Sequence, residues 1–326
     1  MAAPTTARPD VLHRAAGLVI SAGGRLPGFV ATSGIHRPDV RIHLDDRPSW
    51  HDAPDAAPVH PSDQTDGDAV RVLRSSNGFH FAYADLTHIW IDAAGTQVWC
   101  TWPSSATLGD TCTYLCGPVL GFVLRLRGAL ALHASAVEWG PGAIAFAGPH
   151  GAGKSTIAAA LGAAAHRVIT DDVLHLRKAT EKVWLAEPFE SMLRLWPEGS
   201  DLALGPNVEL PVIVEGWNKR ALHLGADVPA ANGPLPLRAV AWLAPRGASP
   251  SIEQLTPGTA LVRLAANSSA SHLLDGAARA REFRALSQLV RSVPVFAVTS
   301  SADPAGFQDF IGSVTAWADA LPASAD

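Results

Sequence analysis

Residues 148–155 read GPHGAGKS and fill the pattern G-x-x-x-x-G-K-[ST] at every fixed position. That pattern constrains the fold more than any other feature of the chain, because it works only as the turn between a buried strand and a helix. The flanks agree with this. AIAFA (143–147) is small and apolar, as a buried strand requires, and KSTIAAALGAAA (154–165) favours helix. Gly148, Gly151 and Gly153 let the backbone bend back and aim several N–H groups at one anion, and the helix from Lys154 adds its positive end. On this reading Gly148, Pro149, His150, Gly151, Ala152, Gly153, Lys154, Ser155 and Thr156 form a nucleotide-binding loop. Lys154 serves the β- and γ-phosphates, the Ser155 hydroxyl serves Mg²⁺, and the His150 side chain is incidental.

A second constraint follows closely, at VITDD (168–172). So short a helix and strand predict a compact crossover, with the new strand parallel and close to the strand before the loop. Ligands of such sheets bind beyond the carboxyl ends of the strands, so Asp171 and Asp172 are expected beside the γ-phosphate. Two carboxylates there can divide the work. One holds Mg²⁺ as a hard oxygen ligand and the other accepts the proton of an attacking hydroxyl. Ser155 and Asp172 are taken as the metal pair; which aspartate is the base stays open. A proton acceptor beside the terminal phosphate suits a kinase better than a motor or a sensor.

The remaining composition narrows the partners. Of 326 residues 48% are apolar and 17% charged, which is globular, and a net charge of −5 gives no footprint for nucleic acid or an anionic membrane. The first residues lack an apolar run of signal-peptide length, and the stretch from Pro118 to Ala136 is broken by Arg125, Arg127 and His133. A soluble, cytoplasmic protein is the expectation. Cys100, Cys112 and Cys116 are too few for a disulfide framework and are read as buried thiols.

VRIHL (40–44), VRVL (70–73), FHFAYA (79–84) and HIWID (88–92) alternate as half-buried strands do, around a Pro- and Asp-rich loop (47–68) that carries His51 and His60. A helix is predicted over Thr111–Arg127. Strands follow at ALALHASAV and AIAFAG, a hairpin at VLHLR and KVWLAE, and strands at RAVAWLAP and VPVFAVTS. Helices are predicted near 257–267, 276–291 and 304–320. The chain therefore reads as a β-rich domain over 1–124 and an α/β domain over 125–326.

LHASAV (132–137), a glycine-containing turn, AIAFAGPHGAGKST and VITDD together resemble the C-terminal catalytic domain of the HPr kinase/phosphorylase family, most specifically over about 130–175. The resemblance implies a P-loop fold related to phosphoenolpyruvate carboxykinase and phosphorylation of a serine hydroxyl with ATP and Mg²⁺. It makes Lys154 and Ser155 the nucleotide and Mg²⁺ contacts, and one of Asp171 and Asp172 the base with the other on the magnesium side. His133 falls at the edge of the site. After the aspartates the chain reads AEPFESMLRLWPEG instead of the bifunctional members' signature, which weighs against phosphorylase activity and against HPr as substrate. LRLWP, the front HRAAGLVISAGGRLPGF and Asn218-Lys219-Arg220 look more like the small kinases of peptide biosynthesis, some of which act on a lasso peptide precursor.

Around this centre, Arg194 suits bidentate phosphate contact, and Glu187 or Glu190 suits either the Mg²⁺ shell or a solvated hairpin end. Lys219 and Arg220 suit transition-state charge or a solvated surface. The expected activity is an ATP-dependent serine kinase for a peptide or small protein, with the front domain binding substrate or building a homo-oligomer interface. Two rivals remain: a kinase for a free hydroxyl metabolite such as serine, and a nucleotide-sensing regulator.

Overall fold

The computed structural model describes residues 10–34, 36–59, 70–189, 192–213, 218–268, 273–301 and 303–322. His60 and Glu190, singled out above, lie outside the described residues. Two compact units emerge, Met1–Arg127 with Ala270–Asp275, and Gly128–Ser269 with Gly276–Asp326.

In the first unit one sheet contains β1 (Val11–Ala15), β2 (Leu18–Ala22), β3 (Val30–Thr32), β4 (Val40–Leu44), β5 (Ala57–Pro58), β6 (Val70–Arg74), β7 (Gly78–Tyr83), β8 (His88–Asp92) and β9 (Gln97–Thr101). Their order is β3-β1-β2-β4-β9-β8-β7-β6-β5. The period-2 patterns land as expected. Val40, Ile42, Phe79, Phe81, Ile89, Ile91, Val98 and Cys100 are buried, and Phe79 and Phe81 meet the Phe122 ring edge-on at 4.8 and 5.6 Å. Phe122 belongs to α2 (Leu120–Leu126), which continues α1 (Leu108–Tyr114) through a π-helical turn over Leu115–Val119. The helix starts three residues before the predicted Thr111 because Thr107 and Asp110 form a capping box. Pro118 sits inside the π turn, where the wider ladder tolerates its missing N–H. The three cysteines are buried as expected, and burial pushes the Cys100 and Cys112 thiols up to about 12.

The opposite sheet face carries one continuous register row. His43 pairs with Trp99, Trp99 with Trp90, and Trp90 with His80. His43 stacks on Trp99 at 5.1 Å and His80 on Trp90 at 4.6 Å. Cross-strand aromatic pairs of this kind fix strand register.

The second unit is mixed α/β with helices on both faces of its main sheet. Its strands are β10 (Leu130–Leu132), β11 (Ala134–Trp139), β12 (Gly142–Ala147), β13 (Val168–Thr170), β14 (Leu174–Lys178), β15 (Trp184–Glu187), β16 (Met192–Leu195), β17 (Arg220–His223), β18 (Leu235–Leu243), β19 (Ser251–Gln254) and β20 (Val295–Thr299). Its helices are α3 (Lys154–Ala163), α4 (Pro197–Leu204), α5 (Pro257–Ala266), α6 (Gly276–Ser292) and α7 (Phe307–Ala320). The order is β10-β14-β15-β18-β12-β11-β13, with β20 against β18 and β19 against β20; β16 and β17 form a separate ribbon.

β12, β18 and β20 run parallel through the centre. Ala143, Ala145 and Ala147 of β12 face a core shared with α5 and α6, and Ile144 and Phe146 face one shared with α3 and α7. A strand buried on both faces reads as an unbroken apolar run, which is why AIAFA shows no alternation.

The strand after α3 runs parallel to the loop strand, as expected, but with another strand between them. β13 does not lie next to the strand that precedes the glycine-rich loop. It pairs antiparallel with β11, and β11 pairs antiparallel with β12, so β13 runs parallel to β12 one strand further out. β11, the first strand of the Ala134–Ala147 hairpin, occupies the position between them. Among the described residues no helix is long and apolar enough to cross a membrane.

Candidate active site

The glycine-rich loop joins β12 to α3, as its sequence requires. Gly151 and Gly153 take φ of +74° and +98°, the left-handed region that costs a side-chain-bearing residue energy. At Gly148 a Cβ would come 3.0 Å from the Leu243 carbonyl oxygen, so a side chain at the strand-to-loop corner would force its neighbours to shift. Lys154 is buried, and its Nζ donates to the carbonyl oxygens of Gly148 and Pro149 at 3.0 and 2.9 Å. Burial lowers its pKa, and the charges of Asp172 and Asp171 oppose that shift.

Asp171 and Asp172 follow β13 directly. Asp171 is 1% exposed and fully engaged. Its Oδ1 accepts from Ser155 Oγ and from Ser135 Oγ, both at 2.8 Å, and its Oδ2 accepts from the Arg194 backbone N–H at 3.1 Å. Burial raises its pKa, the Asp172 charge adds to that, and the three donors pull the other way. Asp172 takes φ of +62°, a conformation that aspartate tolerates better than most residues. The kink sends its carboxylate elsewhere. Oδ2 pairs with Arg194 Nη1 at 2.9 Å, with the arginine side chain 5% and the aspartate side chain 25% exposed. Burial alone would raise the Asp172 pKa; the charges of Arg194, His133 and Lys219 outweigh it, and the pKa falls.

The Ser155 hydroxyl therefore meets Asp171, where the sequence reading had paired it with Asp172. The left-handed turn at Asp172 is the reason, because it directs successive carboxylates to different partners.

His133 lies between β10 and β11, and its Nδ1 is 3.1 Å from the Asp172 carbonyl oxygen. Burial lowers its pKa and so does the Lys154 charge, with Asp172 opposing. Asn267 Nδ2 donates to the His133 carbonyl oxygen at 3.1 Å, tying the other side of the residue to the end of α5.

Arg194 reaches the centre because β16 pairs with β17, matching Arg194 to Ala221 across 27 positions of chain. Lys219 immediately precedes β17, and its Nζ lies 5.4 Å over the Trp196 ring. Glu187 is neither at a solvated hairpin end nor among these partners. It is buried and accepts from Arg177 Nε at 2.7 Å. Among the other residues singled out, His150 is exposed on the loop.

The structure thus brings Lys154, Ser155, Asp171, Asp172, Arg194 and His133 into one connected cluster. It adds Ser135, which sequence reasoning passed over. The available signal was a lone hydroxyl within LHASAV, buried at 0% exposure among alanines and valines. A buried hydroxyl needs a partner, and Asp171 is that partner.

No family model matches the chain. No curated protein shows significant similarity to it.

Proposed function

We propose that this protein is an ATP-dependent kinase that moves the γ-phosphate of ATP to a serine hydroxyl of a peptide or small protein. On this reading the second unit is a P-loop domain of the HPr kinase and phosphoenolpyruvate carboxykinase type, preceded by the smaller β-rich unit. A lasso peptide precursor is the sharpest substrate that the resemblance suggests. The observation that carries the reading is the meeting of the glycine-rich loop with the aspartate pair, through Ser155 Oγ and Asp171 Oδ1 at 2.8 Å.

The residues present fit Mg²⁺ and a nucleotide triphosphate. The left-handed glycines shape an anion cradle at a helix N-terminus, and Ser155 with Asp171 offers two hard oxygen donors side by side. Ser155 and Asp171 would hold Mg²⁺, whose contribution is to offset charge on the β- and γ-phosphate oxygens.

Asp172 is the base. Its carboxylate stays ionised at neutral pH because Arg194 is beside it, and with a quarter of its side chain exposed an incoming hydroxyl can reach it. The serine oxygen forms the new bond to phosphorus, the bond to the bridging oxygen breaks toward ADP, and the hydroxyl proton passes to Asp172. Lys154 and Arg194 place positive charge around the transferring group. His133 Nδ1 holds the Asp172 backbone carbonyl and so positions the base.

The test is transfer of label from γ-labelled ATP by the full chain, with Mg²⁺, serine-containing peptides and free serine offered separately. Label in a peptide supports the reading. Label only in free serine moves the activity to a metabolite kinase, and nucleotide binding with no transfer to any acceptor leaves a sensor.

A further inference from the structure

The first unit holds a cavity of its own, of about 780 Å³, that the reaction above does not use. Arg37, Arg41 and Arg127 line it, together with Asp39, Thr96 and Gln97. The arginines arrive from three parts of the chain: the segment between β3 and β4, β4 itself, and the residue that follows α2. The lining therefore sets three cations against one carboxylate, in a chain whose net charge is −5. A positive hollow in an acidic protein is a candidate site for an anion.

Two of the arginines are braced in place. Arg41 Nη1 meets Asp10 Oδ2 at 2.9 Å, and that oxygen also accepts from Ser21 Oγ at 2.8 Å. Arg127 Nη1 donates to the Asp39 carbonyl oxygen at 3.2 Å and its Nη2 to Asp39 Oδ1 at 3.3 Å. Asp39 is held in turn, because its Oδ2 accepts from the Val19 N–H at 2.9 Å. A guanidinium has about five N–H donors, so both arginines keep several for a ligand. Arg37 is exposed and has no partner among the described residues. Fixed forks of this kind suit oxyanions that accept two hydrogen bonds at once, carboxylates above all.

Size and shape select the occupant. Three cations call for more than one negative group, and the volume lies in the range of pockets that enclose a sizeable ligand rather than a single ion. Nucleic acid and anionic membranes are met by extended basic stripes, which a concave pocket in an acidic chain does not provide. Clusters of arginine are a recurrent means of reading acidic peptide motifs. We propose that this pocket binds an acidic segment of the acceptor peptide, with carboxylates paired to Arg37, Arg41 and Arg127. That the bound peptide is the acceptor rests on the kinase reading; the preference for acidic peptide does not.

The experiment uses the full chain and two fluorescent peptides, a glutamate-rich one with a single serine and its counterpart with glutamine for every glutamate. Anisotropy without nucleotide reads binding, and γ-labelled ATP reads transfer. The glutamate peptide is expected to bind about ten-fold or more tighter, with the gap narrowing as salt rises. Arg37→Gln should weaken it by about three- to five-fold and raise its KM with kcat unchanged, at unaltered thermal stability. The double variant Arg37→Gln with Arg41→Gln should remove most of the gap. Equal binding of the two peptides, or a full gap in the double variant, overturns the pocket. Succinate or inorganic phosphate that binds as tightly as the glutamate peptide and displaces it would make the occupant a small anion and overturn the peptide. Arginine-dependent binding with no transfer to any peptide would overturn the kinase reading and the acceptor's part in this proposal, while the acidic preference stands.

Discussion

Ser155 Oγ donates to Asp171 Oδ1 at 2.8 Å, and this one contact joins the start of α3 to the end of β13. On the proposed function the two hold one Mg²⁺ and act as a unit, so the effects of removing them should not add. Ser155→Ala and Asp171→Asn are each expected to cut turnover by about 100-fold or more, with the double variant little worse than the poorer single one. Both should raise the Mg²⁺ concentration needed for half-maximal rate. Steady-state kinetics over a Mg²⁺ titration checks this, and fully multiplicative losses would separate the two residues.

Arg194 and Asp172 form a largely buried ion pair, and breaking it should move both stability and pH dependence. Arg194→Met leaves a largely buried carboxylate uncompensated, at a cost of about 3 kcal/mol. Arg194 holds the Asp172 pKa below its unfolded value, so the pair's contribution is fully present above that value and fades as pH falls through the folded pKa. The stability gap between wild type and variant should therefore be full at neutral pH and shrink below about pH 4. In kinetics the acid limb of kcat/KM should shift to higher pH in the variant. A limb that stays in place would remove Asp172 from the base role.

Local features of this fold were legible in the chain and long-range choices were not. The strand, loop and helix around residues 143–163 follow from three glycines, an apolar run and an alanine-rich run, all decided within a few residues. The strands of the first unit are equally local, since period-2 alternation needs no partner to be seen. The placement of β13 one strand beyond β11 is different: strand order is settled by which edges meet in three dimensions, and VIT carries no mark of its neighbour. The pairing of β16 with β17 spans 27 positions from Arg194 to Ala221, so the pattern LRLW could suggest an important arginine without showing what delivers it to Asp172. Which carboxylate faces Ser155 was hidden for a third reason. It depends on a left-handed backbone at Asp172, and aspartate permits that conformation without demanding it.

Gly151 gives a test of the loop by itself. Its φ is +74°, it is exposed, and a Cβ there would meet no atom within 4 Å, so Gly151→Ala adds strain without a clash. A left-handed alanine costs about 1–2 kcal/mol, and the loop can shed that cost by relaxing away from the anion-binding shape. Mg²⁺-ATP affinity is then expected to fall by roughly 5–30-fold, with the thermal stability of the chain little changed. Calorimetry of both quantities decides it. An unchanged affinity would mean that the left-handed turn at this residue is not needed for binding.

His80 is expected to make the first unit acid-sensitive. Its Nε2 lies 3.0 Å from His88 Nδ1 and its ring stacks on Trp90, so a proton on it is unwelcome. Burial lowers its pKa to about 4, the charges of His88, Arg71 and His51 assist, and Asp52 opposes. Between about pH 6.5 and 4 the unfolded chain carries a proton on this residue and the folded chain does not, so stability falls as pH falls through that window. The slope is at most about 1.4 kcal/mol per pH unit, less whatever solvent screening the half-buried pair retains. His80→Phe keeps a ring against Trp90 and cannot titrate, so its stability should change less with pH across the same range. Hydrogen exchange of the amides in β7, β8 and β9 at pH 7 and pH 5 reads this unit separately from the second. Equal loss of protection in wild type and variant would assign the acid sensitivity to groups other than His80.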